Sequence, residues 1–257
     1  MKTIKLILLF TVINSAISLA VTRDLYQLKI YHLKNQEQET QLDDYLKNAF
    51  IPALHKAKIQ SIGVFKPINT DKPTAERLIY VFIPFHSFDT YIQLDKTLAK
   101  DEIYQQAGAS YLNAPHNNPP YIRIETILLR AFEKSPSMNI PRLNGNRKDR
   151  VYELRSYEGP TEKLYKNKVE MFNKGDEIGL FKRLDFNAVF YAEVLAGGKM
   201  PNLMYLTTFE NKQSREDHWN AFNNDSYWKE LSANPYYQHN VSHSDILFLY
   251  PTAYSDF

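Results

Sequence analysis

The chain has 257 residues, with 31 Lys and Arg against 29 Asp and Glu for a formal net charge of +2, and it contains no cysteine. A surface this close to neutral argues against nucleic acid as a partner and removes the electrostatic reason to sit on an anionic membrane. The missing cysteine excludes disulfides, thiolate nucleophiles, cysteine-ligated metals and a lipid-modified cysteine.

At the N-terminus Lys2 and Lys5 flank an apolar run from Ile4 to about Ile17, followed by the small-residue stretch Ser18-Leu19-Ala20. This is the layout of a secretory signal peptide, residues 1–20, cleaved after Ala20. As a membrane span the run falls short of the roughly 20 apolar residues needed, and Thr11, Asn14 and Ser15 break it. Cleavage would leave 237 residues (257 less 20) and would remove Lys2 and Lys5, so that 29 basic residues (31 less two) balance 29 acidic ones. The expectation is a protein free of the membrane, in the periplasm or outside the cell.

Residues 24–31 alternate as a strand, and Leu42, Tyr45, Leu46, Ala49, Phe50, Ala53 and Leu54 follow at the spacing of one buried helix face, with Pro52 expected to disturb the helix locally. Two β-rich runs, 59–66 and 77–84, flank a turn region at Asn69–Pro73; a helical stretch covers 87–107 and a strand 121–129. Residues 133–149, with Pro136, Pro141 and Gly145 and no apolar period, read as a linker. The order then recurs: strand 150–157, helix from Pro160, strands 188–195 and 202–209, helices from Ser214, strand 244–250. Pro160 suits a first helical turn.

Two phrases also recur. Tyr26-Gln27-Leu28-Lys29-Ile30-Tyr31 returns as Tyr152-Glu153-Leu154-Arg155-Ser156-Tyr157, and Leu78-Ile79-Tyr80-Val81 as Leu203-Met204-Tyr205-Leu206. The period exceeds that of solenoid units and propeller blades. The reading is therefore α+β, with two ferredoxin-like βαββαβ repeats (21–132 and 150–257) that cover their bare sheet faces by pairing them as an intramolecular α/β barrel.

Alternation puts Glu153, Arg155 and Tyr157 on one face of their strand, opposite Tyr152 and Leu154; Tyr191 and Glu193 likewise oppose Phe190, Ala192 and Val194. If the uniformly apolar set lies under the helices, Glu153, Arg155, Tyr157, Tyr191 and Glu193 line the space between the sheets. Two carboxylates, a guanidinium and two phenols could bind a polar aromatic or enol-like molecule there, or form an internal ion-pair network with no ligand. His239 and His243 stand four apart with Asp245 nearby, a zinc spacing only on a helix, yet Asn240-Val241-Ser242 before a strand reads as a loop. No metal or cofactor is expected, since no nucleotide-binding or GxSxG string occurs and the strand reading places no histidine inside the barrel. Trp219, Phe222, Tyr227, Trp228 and Leu231 read first as core packing and second as a ligand cage.

The second repeat resembles the NIPSNAP family through Tyr152 to Tyr157, through Gly175-Asp176-Glu177 with Phe181 and Arg183, and through Val189-Phe190-Tyr191. It continues through Met200-Pro201-Asn202-Leu203-Met204-Tyr205, then Trp219, Phe222 and Trp228 before Leu231. The first repeat looks like a diverged version that keeps Tyr26 to Tyr31 but lacks the Met-Pro-Asn string and both tryptophans. The resemblance implies a dimeric α/β-barrel fold and adds Arg183 to the ligand-binding candidates, but it implies no reaction. Two functions stay open. One is an exported protein that binds a small molecule or a protein partner, which could be a further copy of the chain. The other is a cofactor-independent monooxygenase or isomerase in which Arg155 polarises an oxygen and Glu153 or Glu193 acts as base.

Overall fold

Alternating apolar and polar residues make strands and 3.6-residue periodicity makes helices, and the computed structural model orders them as two similar halves over its described residues, 22–68 and 77–257. Residues 1–20, expected as a signal segment, and Asn69–Pro73, expected as a turn, lie outside the described residues. The first half runs β1 (Leu25–Leu33), α1 (Gln36–Tyr45), α2 (Ile51–Lys56), β2 (Gly63–Pro67), β3 (Arg77–Phe85), α3 (Phe88–Ala99), α4 (Glu102–Ala107), α5 (Ala109–Leu112) and β4 (Arg123–Ala131). The second runs β5 (Val151–Glu158), α6 (Glu162–Asn173), α7 (Glu177–Arg183), β6 (Phe190–Ala196), β7 (Asn202–Phe209), α8 (Lys212–Asn224), α9 (Ser226–Ala233) and β8 (His243–Pro251).

Of the two prolines beside helix starts, only Pro52 places its missing N–H in a first helical turn. A π-helical turn, Leu46–Phe50, separates α1 from α2, so that Pro52 falls in the first turn of α2, where no intrahelical donor is required. Pro160 does not enter the first turn of α6 as its sequence suggested. Thr161 is the N-cap, its side chain accepting the Leu164 N–H, and this leaves Pro160 outside the helix.

The eight strands close in the order β1-β3-β2-β8-β5-β7-β6-β4. Each half contributes one antiparallel four-stranded sheet, β4-β1-β3-β2 and β8-β5-β7-β6, and two seams, β2 with β8 and β4 with β6, join them. The chain is thus α+β, two ferredoxin-like repeats whose sheets pair into one barrel. Among the described residues no helix is long and apolar enough to cross a membrane.

The faces are the reverse of those expected. Tyr26, Leu28, Tyr152, Leu154, Phe190, Ala192 and Val194 point into the barrel and form one core with Phe65, Phe82, Leu129 and the terminal Phe257. Phe82 and Phe190, one from each half, stack with ring centroids 5.0 Å apart and planes 4° apart. The second core lies between the first sheet and α1 to α5, and the third between the second sheet and α6 to α9. A barrel interior is shut off from water on every side, so the purely apolar set goes there. The outer face meets helices whose own polar groups can reach in, so the mixed set goes there. Glu153, Arg155, Tyr157 and Tyr191 therefore lie under the helices of the second half, not between the sheets, and Glu193 shares that outer face.

Candidate functional site

Two strands, β5 and β7, and four helices build a cavity of about 280 Å³ on the outer face of the second sheet. Its floor is set by register: Arg155 of β5 lies opposite Tyr205 of β7, which in turn lies opposite Tyr191 of β6. Tyr157 follows two residues on, so the Arg155 Nη1 donates to the Tyr157 hydroxyl at 3.0 Å, and the Tyr157 and Tyr205 hydroxyls meet at 2.8 Å.

One wall is α8, begun by Asn211, whose side chain accepts the Ser214 N–H. Arg215 and Trp219, four apart, face the sheet together. Glu153 is fully buried and accepts from Arg155 at 2.6 Å, from Arg215 at 2.8 and 3.2 Å, and from the Trp219 indole at 2.9 Å. The Arg155 guanidinium also lies 3.7 Å from the centre of the Trp219 ring, a cation–π contact. Burial by itself would raise the Glu153 carboxyl, but the Arg215 hydrogen bond, the charges of Arg155 and Arg215 and the indole donor hold it below the ordinary value. Burial would lower Arg155, and Tyr205, Tyr157 and Glu153 together push it up instead. Burial pushes the Tyr205 and Tyr191 phenols well above their usual range.

The opposite wall comes from α6, α7 and α9. α6 ends at Asn173, the chain reverses through Gly175 and through Asp176 at φ 53°, and α7 opens with Glu177 turned back toward α6. Lys168 and Glu177, both buried, then pair at 2.8 Å. The Lys168 ammonium sits 4.8 Å from the Phe172 ring centre and 5.9 Å from that of Trp228. Phe222 and Trp228, with centroids 4.5 Å apart, supply the apolar edge. Asp225 caps α9 and holds Arg183 from outside, at 2.8 and 3.1 Å.

Of the sequence candidates, the fold gathers Arg155 and Tyr157 on the cavity and Glu153 directly behind Arg155. Tyr191 lies beside Tyr205 but faces a different groove of about 800 Å³, between residues 134–142 and α7. Glu193 sits at the β4–β6 seam, bound to Arg23 at 3.2 Å and Arg130 at 3.3 Å, and Arg183 is a surface partner of Asp225. Lys168, Glu177, Tyr205 and Arg215 escaped the sequence reading; the four-residue step from Arg215 to Trp219 was the visible signal for one of them. The tryptophans, read first as core, are both core and cavity wall.

His239 and His243 do not share a helix: His239 has φ 58° in a loop and His243 opens β8. Donor atoms of Glu158, His243 and Asp245 lie within 4.8 Å of one another, and the Lys199 ammonium already sits 2.5 Å from Asp245 and 3.9 Å from Glu158. His32, beside Glu125 at 2.7 Å, follows the inward-facing row of Tyr26, Leu28 and Ile30 on β1, and His243 that of Leu247 and Leu249 on β8, which corrects the expectation that the strands place no histidine on the barrel side.

Residues 152–256 match the family model described as NIPSNAP. A candidate monooxygenase from Lactobacillus acidophilus NCFM is similar in structure, at 10% identity and a TM-score of 0.58, covering 89% of this chain and 94% of that one. An anthrone oxidase-like protein is similar at 11% identity and a TM-score of 0.51, covering 91% and 93%. A NIPSNAP-like domain protein from Burkholderia xenovorans aligns at 14% identity and a TM-score of 0.38, covering 43% of this chain and 91% of that one. Likeness at these identities speaks for the fold alone. No curated protein sequence matches the chain.

Proposed function

We propose that this chain, whose residues 152–256 form a NIPSNAP domain, is an exported protein that binds a small molecule in the cavity between its second sheet and α6 to α9. The observation that carries the reading is the largely buried Arg155, fixed by Glu153, stacked on Trp219 and still facing an open cavity of about 280 Å³. A guanidinium that served only to neutralise Glu153 would need no cavity in front of it, and pre-oriented polar groups between aromatic walls are the usual make-up of a ligand site. Export is supported by the Lys2, apolar-run and Ser18-Leu19-Ala20 pattern, and N-terminal sequencing of the mature protein should begin at Val21. Native mass spectrometry of protein purified from its own host tests the binding. The expected spectrum has a small-molecule adduct that is lost in Arg155→Met, whereas a bare chain, or an adduct with another protein only, goes against it.

The monooxygenase or isomerase reading keeps Arg155 as an oxygen-polarising group but lacks its base. Both Glu153 oxygens are taken by Arg155, Arg215 and Trp219, and Glu193 lies at the seam with Arg23 and Arg130. A base must reach the proton that it removes. The geometry thus favours binding over proton abstraction by either residue.

A further inference from the structure

Resting on that pocket, we infer that its occupant is a small planar anion, an aromatic carboxylate or an enolate of like shape. Three cations, Arg155, Arg215 and Lys168, meet two carboxylates there, Glu153 and Glu177. Lys168 and Glu177 neutralise each other, while Arg155 and Arg215 share Glu153. One positive charge is left over beside a cavity where the side chains of Arg155 and Lys168 are only 11% and 7% exposed. Shielded charge of one sign is costly until a counter-charge meets it, and the missing counter-charge is a single anion.

The hydrogen bonds give the same sign independently. Among the described residues Arg155 engages Glu153 through Nε and Nη2 and Tyr157 through Nη1, which leaves one N–H on each terminal nitrogen. The Tyr157 oxygen accepts from Arg155 and meets the Tyr205 hydroxyl; whichever of the two donates across that contact, the other keeps an O–H to give. With the Arg215 Nη1 they make up a set of donors against which the Glu153 oxygens are spent, and the acceptors left over are one oxygen of Glu177 and the Asn223 amide oxygen. A cationic or purely donating molecule finds little to accept its protons, whereas a carboxylate or enolate oxygen takes the N–H and O–H donors together. The faces of Trp219, Phe222 and Trp228 fit the remainder of such a molecule if it is flat.

Trp219 and Trp228 are the two tryptophans of the chain, and both line the cavity, so intrinsic emission reports on this site. The full protein is titrated with benzoate, with its neutral isostere benzamide and with benzylamine. Benzoate should shift the emission with a Kd at least about tenfold below that of benzamide, equivalent to about 1.4 kcal/mol, and benzylamine should bind weakest. Equal affinity for benzoate and benzamide, or tighter binding of benzylamine, overturns the anion and leaves the pocket standing. No change with any of the three up to about 10 mM overturns the pocket itself. In Arg155→Lys, with folding followed by circular dichroism, the benzoate preference should fall about tenfold; an unchanged preference in the folded variant overturns the assignment to this guanidinium.

Discussion

Glu153→Gln tests the electrostatics of the second half most directly. The carboxylate has no exposed surface and receives four hydrogen-bond contacts from Arg155, Arg215 and Trp219 at 2.6 to 3.2 Å. The amide keeps the shape but removes the charge and turns an N–H2 group toward guanidinium donors. Removing one partner of a buried ion pair costs about 3–5 kcal/mol. With Arg155 at 11% and Arg215 at 21% side-chain exposure, water can partly solvate the stranded cations, so the lower end applies. About 3 kcal/mol corresponds to a Tm lower by roughly 6–12 °C in a chain of this size. Urea unfolding with an unchanged m-value measures it. The Glu153 carboxyl titrates lower in the folded than in the unfolded state, so its contribution is present above the unfolded carboxylate pKa and is lost as pH falls through the folded one. The wild type should therefore lose more stability than the variant on acidification below about pH 4.5. A variant within about 0.5 kcal/mol of wild type at neutral pH, with the same acid dependence, would refute the reasoning.

Phe190→Ala empties a fully buried stack inside the barrel and should cost about 3–5 kcal/mol in denaturant unfolding. Lys168→Met and Glu177→Gln should each be strongly destabilising, yet the double variant should cost clearly less than their sum, since neither then strands a buried charge; a double-mutant cycle measures the coupling. Tyr205→Phe should cost about 1 kcal/mol for the hydroxyl contact with Tyr157. Lys199→Ala, with a side chain 58% exposed beside Asp245, should change stability by less than about 1 kcal/mol, and less still in high salt.

The architecture was legible because each half repeats its element order around the same alternating phrase, Tyr26 to Tyr31 and Tyr152 to Tyr157. Alternation separates Leu154 from Arg155 without saying which of them faces the barrel, because a period of two has two faces and no sign. The answer depends on which surface is drier, and that is a property of the closed ring rather than of any one strand. Lys168, Glu177 and Arg215 were hidden for a different reason. They sit on three helices, and what unites them is the chain reversal at Gly175-Asp176 and the contact of α8 with Glu153 of β5, of which only the step from Arg215 to Trp219 left a spacing in the sequence. Arg183 and Glu193 share strings with true cavity residues but are turned to the surface and to the seam.

The two halves fill the space under their helices differently. At the positions of Glu153, Arg155 and Tyr157 the first half carries Gln27, Lys29 and Tyr31, and beside them Tyr45 stacks on Tyr111 at 3.8 Å and shares a hydroxyl contact of 2.7 Å with Tyr104. A barrel assembled from two identical subunits carries every recess in duplicate. Here the duplication is covalent, so one half could exchange its recess for packed tyrosine while the other kept it. The expected stoichiometry is one molecule bound per chain, with a simple hyperbolic isotherm and a Hill coefficient of about one.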